Sequence, residues 1–330
     1  MKKKVSLGIL VLLAIFLPIF VKQTYVIQML IMVLLYTYWA SSWNIIGGLA
    51  GQFSLGHGAY IGIGAYVSTV LWIQSGVSPW IGMMIGGLIS GLVSLIIGLP
   101  TFRLRGSYFT LATIALLFAI QIFFTTESTI FGYHTGGAMG LKVPWEGTVG
   151  AMQFMDKMWY YYLILAMLII AVLITKWIIS SKTGYYLAAI NTNQEAADSL
   201  GVNITYYKMK AQFISAFLTA AGGTFYAQLV LFIDPTRIFG YDLSVQFVFL
   251  AVIGGMGSLW GPVIGALLLS PLSSLLNSYL GSQMAGLSII VYGLVMMLIV
   301  YYMPSGIHKH VIRLFDWMLG EGKSKKVAGG

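Results

Sequence analysis

Gln212, Ser215, Thr219 and Gly222 follow one another at intervals of three, four and three residues, so three polar side chains and one bare backbone position share a helix face. Ser41 and Asn44 pair in the same way at the end of another apolar stretch, and Gln52, Ser54 and His57 lead into a third. Neutral amides and hydroxyls on such faces either line a water-filled path or hydrogen-bond a neighbouring helix. They do not relay protons by themselves, and His57 stands alone among them.

A second group of residues has capping chemistry. Thr192-Asn193-Gln194-Glu195 fits the capping box, in which a Thr hydroxyl accepts from a helix-terminal amide and a Glu three residues on reaches back. Ala196, Ala197 and Leu200 then predict one small apolar face on a two-turn helix, and Gly201 is placed as its left-handed stop. So short a helix is marginal in water alone, so that face is expected to pack on its own chain or to dock into a cytoplasmic partner.

Other chemistry is excluded by what is missing. Gly322-Lys323-Ser324 looks like the end of a phosphate-binding loop, but Trp317 occupies the position of its first Gly. No His, Asp and Glu cluster has metal-ligand spacing, no nucleophile stands beside a base, and 0 cysteines rule out thiolate sites. No catalytic residue, metal site or nucleotide site is expected in this chain.

The elements that must position the polar residues are membrane helices. The 330 residues are 58% hydrophobic and only 8% charged, against about 25% charged in soluble proteins. Ten apolar stretches, at 5–21, 24–46, 57–74, 79–99, 107–126, 158–175, 211–233, 243–257, 260–279 and 285–303, contain no Lys, Arg, Asp or Glu. A hydrocarbon core about 30 Å thick needs roughly 20 apolar residues per helix, and a charge at its centre costs at least ~2.5 kcal/mol. The pattern predicts an all-α polytopic membrane protein with about ten transmembrane helices. The number is eight or nine if short stretches such as 243–257, broken by Gly254-Gly255, do not fully cross. The stretch after Lys2-Lys3-Lys4 resembles a signal peptide without a small-x-small cleavage site, and is expected to stay as the first helix.

Threaded alternately from a cytoplasmic N-terminus, fourteen of the 18 Lys and Arg fall inside, leaving only Lys22, Lys142, Lys157 and Arg237 outside. That asymmetry fixes the expected orientation, with both termini cytoplasmic, one membrane domain over 1–303 and a basic tail over 304–330. The net charge of +9 is scattered singly between apolar runs, which argues against nucleic acid as a partner. Trp39, Trp72, Trp80, Trp159, Trp177, Tyr301 and Tyr302 near helix ends are expected to be interfacial anchors. Many of the 39 glycines sit at four-residue spacing, as in Gly58/Gly62, Gly82/Gly86 and Gly87/Gly91, which predicts closely packed helices. The longest connections are a cytoplasmic loop at 180–210 and an external one at 127–157.

Several segments carry a resemblance. Glu195-Ala196-Ala197, with Gly201 four residues after the second Ala, resembles the start of the loop motif that ABC-importer permeases present to their ATPase subunits. Gly51-Gln52-Phe53-Ser54-Leu55-Gly56-His57-Gly58-Ala59-Tyr60 resembles the first signature of the LivM/LivH permeases of branched-chain amino-acid importers. Arg103-Leu104-Arg105-Gly106-Ser107-Tyr108-Phe109 is similar to that family's next block in its LivM form. Thr135-Gly136-Gly137 with Gly140-Leu141, then Gly254-Gly255-Met256-Gly257-Ser258-Leu259-Trp260-Gly261-Pro262, come in the family's order. The similarity covers residues 25 to 307; the Ile-x-Leu-Pro end of the general loop motif is absent, as is usual in this family.

The resemblance implies a permease subunit in the bacterial inner membrane that translocates branched-chain amino acids delivered by an external solute-binding protein. It implies a LivH-like second permease and two cytoplasmic ATPase subunits, on which ATP and Mg²⁺ bind. Thr192, Glu195, Ala196, Ala197, Leu200 and Gly201 would then form the ATPase-coupling helix. Asn44, Gln52, Ser54, His57, Gln212, Ser215 and Thr219 are the candidates for the translocation pathway. A neutral aliphatic amino acid needs no fixed counter-charge in its path, and the stretches hold none. Two alternatives stand beside this: a permease of the same family for urea, short amides or another small solute, and an ion-coupled secondary transporter using backbone carbonyls.

Overall fold

The computed structural model describes residues 23–280 and 286–303, and residues 18, 306–308 and 310 besides. The expected first helix at 5–21, residue 18 apart, and most of the tail at 304–330 lie outside the described residues. Helix α1 (Thr24–Asn44) runs straight into a π turn, Ile45–Leu49. Next come three further helices: α2 (Gly58–Ser75), α3 (Pro79–Thr101) and α4 (Ser107–Thr126). A long loop leads to α5 (Lys157–Ser180), then to the short helices α6 (Lys182–Thr192) and α7 (Gln194–Ser199) and the long α8 (Ile204–Val230). The last elements are a helical turn α9 (Pro235–Ile238), α10 (Tyr241–Gly255), α11 (Gly261–Leu280) and α12 (Leu287–Tyr302).

Among the described residues, seven segments are long and apolar enough to cross a membrane. The chain is a mostly helical, polytopic membrane protein. Local chemistry sets many helix ends. Pro79 opens α3, and the side chains of Asp156, Asn203 and Asp234 accept from the first-turn amides of α5, α8 and α9. The short 243–257 stretch is α10, and α9 lengthens it to a 21-residue segment, Pro235–Gly255.

The core forms where backbones come close. Gly64 of α2 faces the Ala220 backbone of α8, Gly223 of α8 faces that of Ile61, and Gly87 and Gly91 of α3 receive the rings of Phe217 and Phe213. In lipid no hydrophobic effect drives helices together, so small residues that admit such approaches carry the packing. Helix α1 lies at the centre, against α5, α8, α10 and α11. Trp39 is therefore a core residue, not an interfacial anchor: it is fully buried, and its indole N–H donates to the Thr219 carbonyl at 3.2 Å. Trp72 is buried as well, whereas Trp159, Trp177, Tyr301 and Tyr302 are exposed near helix ends. At the periphery, α4 buries only Phe109, Thr113 and Leu117, a stripe at intervals of four, and turns Leu111, Phe118 and Ile122 outward. An outer surface this apolar suits lipid.

Two expectations need correction. Helix α8 begins at Ile204, a full turn and more before the apolar stretch at 211, because Asn203 caps it there. Lys208 and Lys210 are thus helical, and Lys208 is only 1% exposed, with its ammonium 5.8 Å from the centre of the Phe102 ring. The all-α expectation also gains, among the described residues, four two-residue strands. Strand β1 (Thr129–Ile130) pairs with β2 (Tyr133–His134), and β3 (Leu141–Lys142) with β4 (Phe232–Ile233), all antiparallel. Gly140, at φ 72°, allows the second pairing: a Cβ there would meet the Ile233 carbonyl. Strands so short leave no periodicity in the sequence.

Hydrogen bonds sort the connections onto two ends of the bundle. Arg105 to Glu195, Asn191 to Gly48 and Asn44 to Ser258 join loops at one end. Gln74 to His134, Ser78 to Gly150 and Gln121 to Thr236 join those at the other. This is the alternation that the threading predicts.

Candidate functional site

The non-helical segment 50–57, which holds the larger part of the first signature, is wedged inside the bundle. Buried irregular backbone must find partners, and neighbouring side chains supply them. Trp43 donates to the Ser54 carbonyl at 2.7 Å and Thr110 to the Phe53 carbonyl at 2.7 Å. The Leu55 N–H donates to the Thr113 hydroxyl at 3.1 Å, and the Gly58 N–H to the Ser244 hydroxyl at 2.6 Å. The segment is thereby fixed between α1, α4 and α10.

All seven candidate pathway residues, Asn44, Gln52, Ser54, His57, Gln212, Ser215 and Thr219, are buried. Most of them meet in one network. His57 lies 3.0 Å from the Ser54 hydroxyl through Nδ1 and 3.0 Å from the Ser215 hydroxyl through Nε2. Ser215 donates its own proton to the Ser42 carbonyl at 2.8 Å, so its oxygen accepts from Nε2–H, and Nδ1 accepts from Ser54. Gln212 donates to the Tyr60 hydroxyl at 2.6 Å, while its Oε1 is buried without a partner. Thr219 bonds back to the Ser215 carbonyl on its own helix. The Gln52 side chain donates to the nearby Ala50 carbonyl at 3.4 Å, and its backbone N–H to the Ile46 carbonyl at 3.1 Å. Asn44 lies apart from the network: its amide donates to the Ser258 carbonyl at 2.9 Å and accepts from the Gly257 N–H at 2.8 Å. In this conformation these groups hold helices together and face no solvent.

The short helix α7 has the position and the stop expected, with a different cap. Asn193 is the cap, accepting from the Glu195 and Ala196 amides at 3.0 and 3.2 Å. Thr192 closes α6 instead and donates to the Ala188 carbonyl. Both residue types cap helices, and the extra helix α6, which buries Thr183, Leu187 and Ile190 on one face, moves the boundary by one residue. Glu195 does not reach back; its Oε1 accepts from Arg105 Nη1 at 2.7 Å. At Gly201, φ is 80°, and the Gly201 and Val202 amides bond the Asp198 and Ala197 carbonyls, which closes the helix in a Schellman motif. The expected single apolar face divides. Ala197 is 2% exposed and packs on its own chain, whereas Leu200 is 83% exposed and Ala196 also faces outward.

At the opposite end the 127–157 loop is ordered by Gln153, a buried residue with no sequence signal. Its Oε1 accepts from the Glu146 and Gly147 amides, and its Nε2 donates to the Pro144 carbonyl. Between α2, α3 and α4, under the β1–β2 hairpin, lies a cavity of about 590 Å³ with aliphatic and aromatic walls. The lining is almost wholly hydrocarbon; Tyr66, Tyr133 and Thr135 are its hydroxyl-bearing residues, and the Tyr66 hydroxyl is buried without a partner among the described residues.

Residues 25–300 match the family described as the permease component of the branched-chain amino acid transport system. The chain belongs to this family. It is similar to the high-affinity branched-chain amino acid transport system permease protein LivM of Salmonella typhimurium, with 25% identity over 93% of this chain and 75% of the relative. The LivH permease protein of the same system and organism is 24% identical over 82% of this chain and 90% of its own. The nucleoside ABC transporter permease protein NupC of Lactococcus lactis is 26% identical over 73% of this chain and 79% of the relative. No solved structure matches. Within this permease-family chain the signature at 51–60, the block at 103–109, the short helix α7 and the glycine-rich turn at 254–262 all come together at one end of the bundle.

Proposed function

We propose that the chain is the membrane-spanning subunit of an ATP-driven importer of branched-chain amino acids delivered by an external binding protein. The family match over residues 25–300 carries this reading. The end bearing Arg103, Arg105, Lys176 and Lys182 is cytoplasmic in it, because basic loops stay inside, and about ten helices cross with both termini cytoplasmic. Helix α7 docks on one of two cytoplasmic ATPases through Leu200 and Ala196, while Ala197 and the Arg105–Glu195 pair hold it to the membrane helices. ATP and Mg²⁺ bind on those partners. A LivH-like permease stands beside this one, a pairing supported by similarity to both LivM and LivH.

The buried amides and hydroxyls at Gln52, Ser54, Gln212, Ser215 and Thr219, with the His57 imidazole, meet solute when the cycle parts α8 from α1 and α2. All are neutral hydrogen-bonding groups, which suit a solute with no net charge. The nucleoside relative favours a second reading, the same machine carrying another small solute. The discriminating experiment purifies the chain in mild detergent with whatever accompanies it, reconstitutes the assembly, and compares labelled leucine with uridine and urea. ATP-dependent leucine uptake is expected. Uptake of uridine or urea without leucine overturns the substrate, and a chain that purifies without ATPases overturns the docking.

A further inference from the structure

Three contacts converge on the π turn that ends α1. The Asn191 amide, in the last turn of α6 and two residues before the α7 cap, donates to the Gly48 carbonyl at 3.0 Å. Asn44, one turn earlier on α1, grips the α10–α11 turn by accepting from the Gly257 N–H and donating to the Ser258 carbonyl. Gly48 lies against that clamp so closely that a Cβ on it would strike both the Asn44 side chain and the Gly257 backbone. On its other side Gly51, at φ 68°, lies against Asn191, whose amide a Cβ would also strike. The elbow before α7, the π turn and the α10–α11 turn therefore form one continuous hydrogen-bonded chain.

A π turn holds one residue more than an α turn. Passing that residue along shifts the downstream backbone by about 1.5 Å and rotates it by about 100°. Gly47-Gly48 supply the backbone freedom for such a slip. The turn is thus a two-state element of the kind that can carry displacement between sites, provided that something biases it. Asn191 is placed to do so.

We propose that Asn191 is the positioning residue through which movement of α7 reaches the membrane helices. It draws on the Gly48 carbonyl, and the π turn passes the shift through Asn44 to α10 and α11. The proposal rests on the reading of α7 as the ATPase-docking helix, yet Asn191 itself lies away from Leu200 in sequence and in role.

The test uses the complete transporter, with its second permease, ATPases and binding protein, in proteoliposomes. Asn191→Ala and Asn191→Asp remove the donor, and Asn191→Gln keeps it. In the first two the ATPases should still co-purify and hydrolysis should stay within about twofold, while leucine carried per ATP falls about tenfold. Asn191→Gln should recover part of that ratio, a split that a merely structural defect does not produce. Unchanged leucine per ATP in Asn191→Ala overturns the proposal. Loss of the ATPases from that variant also overturns it, because Asn191 would then be a docking residue. Leu200→Asp is the companion variant: it should release the ATPases, and if it keeps both ATPases and uptake, the docking reading fails instead.

Discussion

Ala197 is buried inside α7 and Leu200, the residue that caps its end, is exposed, so substitutions at the two separate folding from docking. Ala197→Glu forces bulk against the chain's own helices and is expected to cost about 1–3 kcal/mol, read as a lower unfolding temperature of the purified protein in detergent. Leu200→Asp should leave that temperature unchanged and reduce ATPase co-purification. Equal melting temperatures for Ala197→Glu and wild type would show that Ala197 is not anchored as described. The signature segment makes a second prediction. Thr113→Val keeps shape but leaves the partly buried Leu55 N–H without its acceptor, a loss of about 1 kcal/mol. Thr126→Val, on the exposed end of the same helix, should be near neutral by the same melting assay. Sequence reasoning found Gln212, Ser215 and Thr219 because their spacing declares a shared face. It missed Asn191, Asn193 and Gln153 because a lone amide in a polar loop carries no period, and only the fold supplies its partner.

The helices themselves were legible wherever apolar length decided them, as for α3, α4 and α5. Their ends were less so. Helix α8 extends back through Lys208 and Lys210 because a capped helix continues past the hydrocarbon edge, which hydropathy marks and hydrogen bonding does not. Helix α6 was not foreseen, and neither were the strands: 129–130 and 133–134 close a local hairpin, 141–142 pairs with the distant 232–233, and two-residue strands leave no periodicity. Glycine spacing announced close packing without saying which helices meet. The structure answers that with Gly64 on Ala220 and Gly223 on Ile61, and this yields a contrast between glycines. Gly64→Ala and Gly223→Ala each place a Cβ against facing backbone and should destabilise by about 1–3 kcal/mol. Gly293→Ala, in α12 with open space around it, should be neutral or stabilising by up to about 1 kcal/mol. Thermal unfolding of the three variants side by side checks this; a loss at position 293 as large as at 64 would remove the distinction.

The bundle has a basic end, where the signature, α7 and the 254–262 turn meet, and an opposite end closed by the short strands. With 0 native cysteines, single-cysteine labelling of intact cells reads which end faces out. A Cys at position 146 should react with an impermeant maleimide, and one at 182 only after the membrane is opened; the reverse pattern would invert the orientation. The buried network around His57 and Ser215 adds a turnover test. A Cys replacing Thr219 should stay unreactive to a permeant maleimide at rest and become reactive when ATP and loaded binding protein are supplied; reactivity unaffected by turnover would place the path elsewhere. Central to the proposed cycle is that this chain moves solute only when separate ATPases drive it. The direct measurement is leucine accumulation in proteoliposomes holding the assembled transporter, with ATP and without it, and in vesicles holding the permeases alone. Accumulation against a gradient is expected only with the ATPases and ATP present. Accumulation by the permeases alone, driven by a sodium or proton gradient, would contradict it.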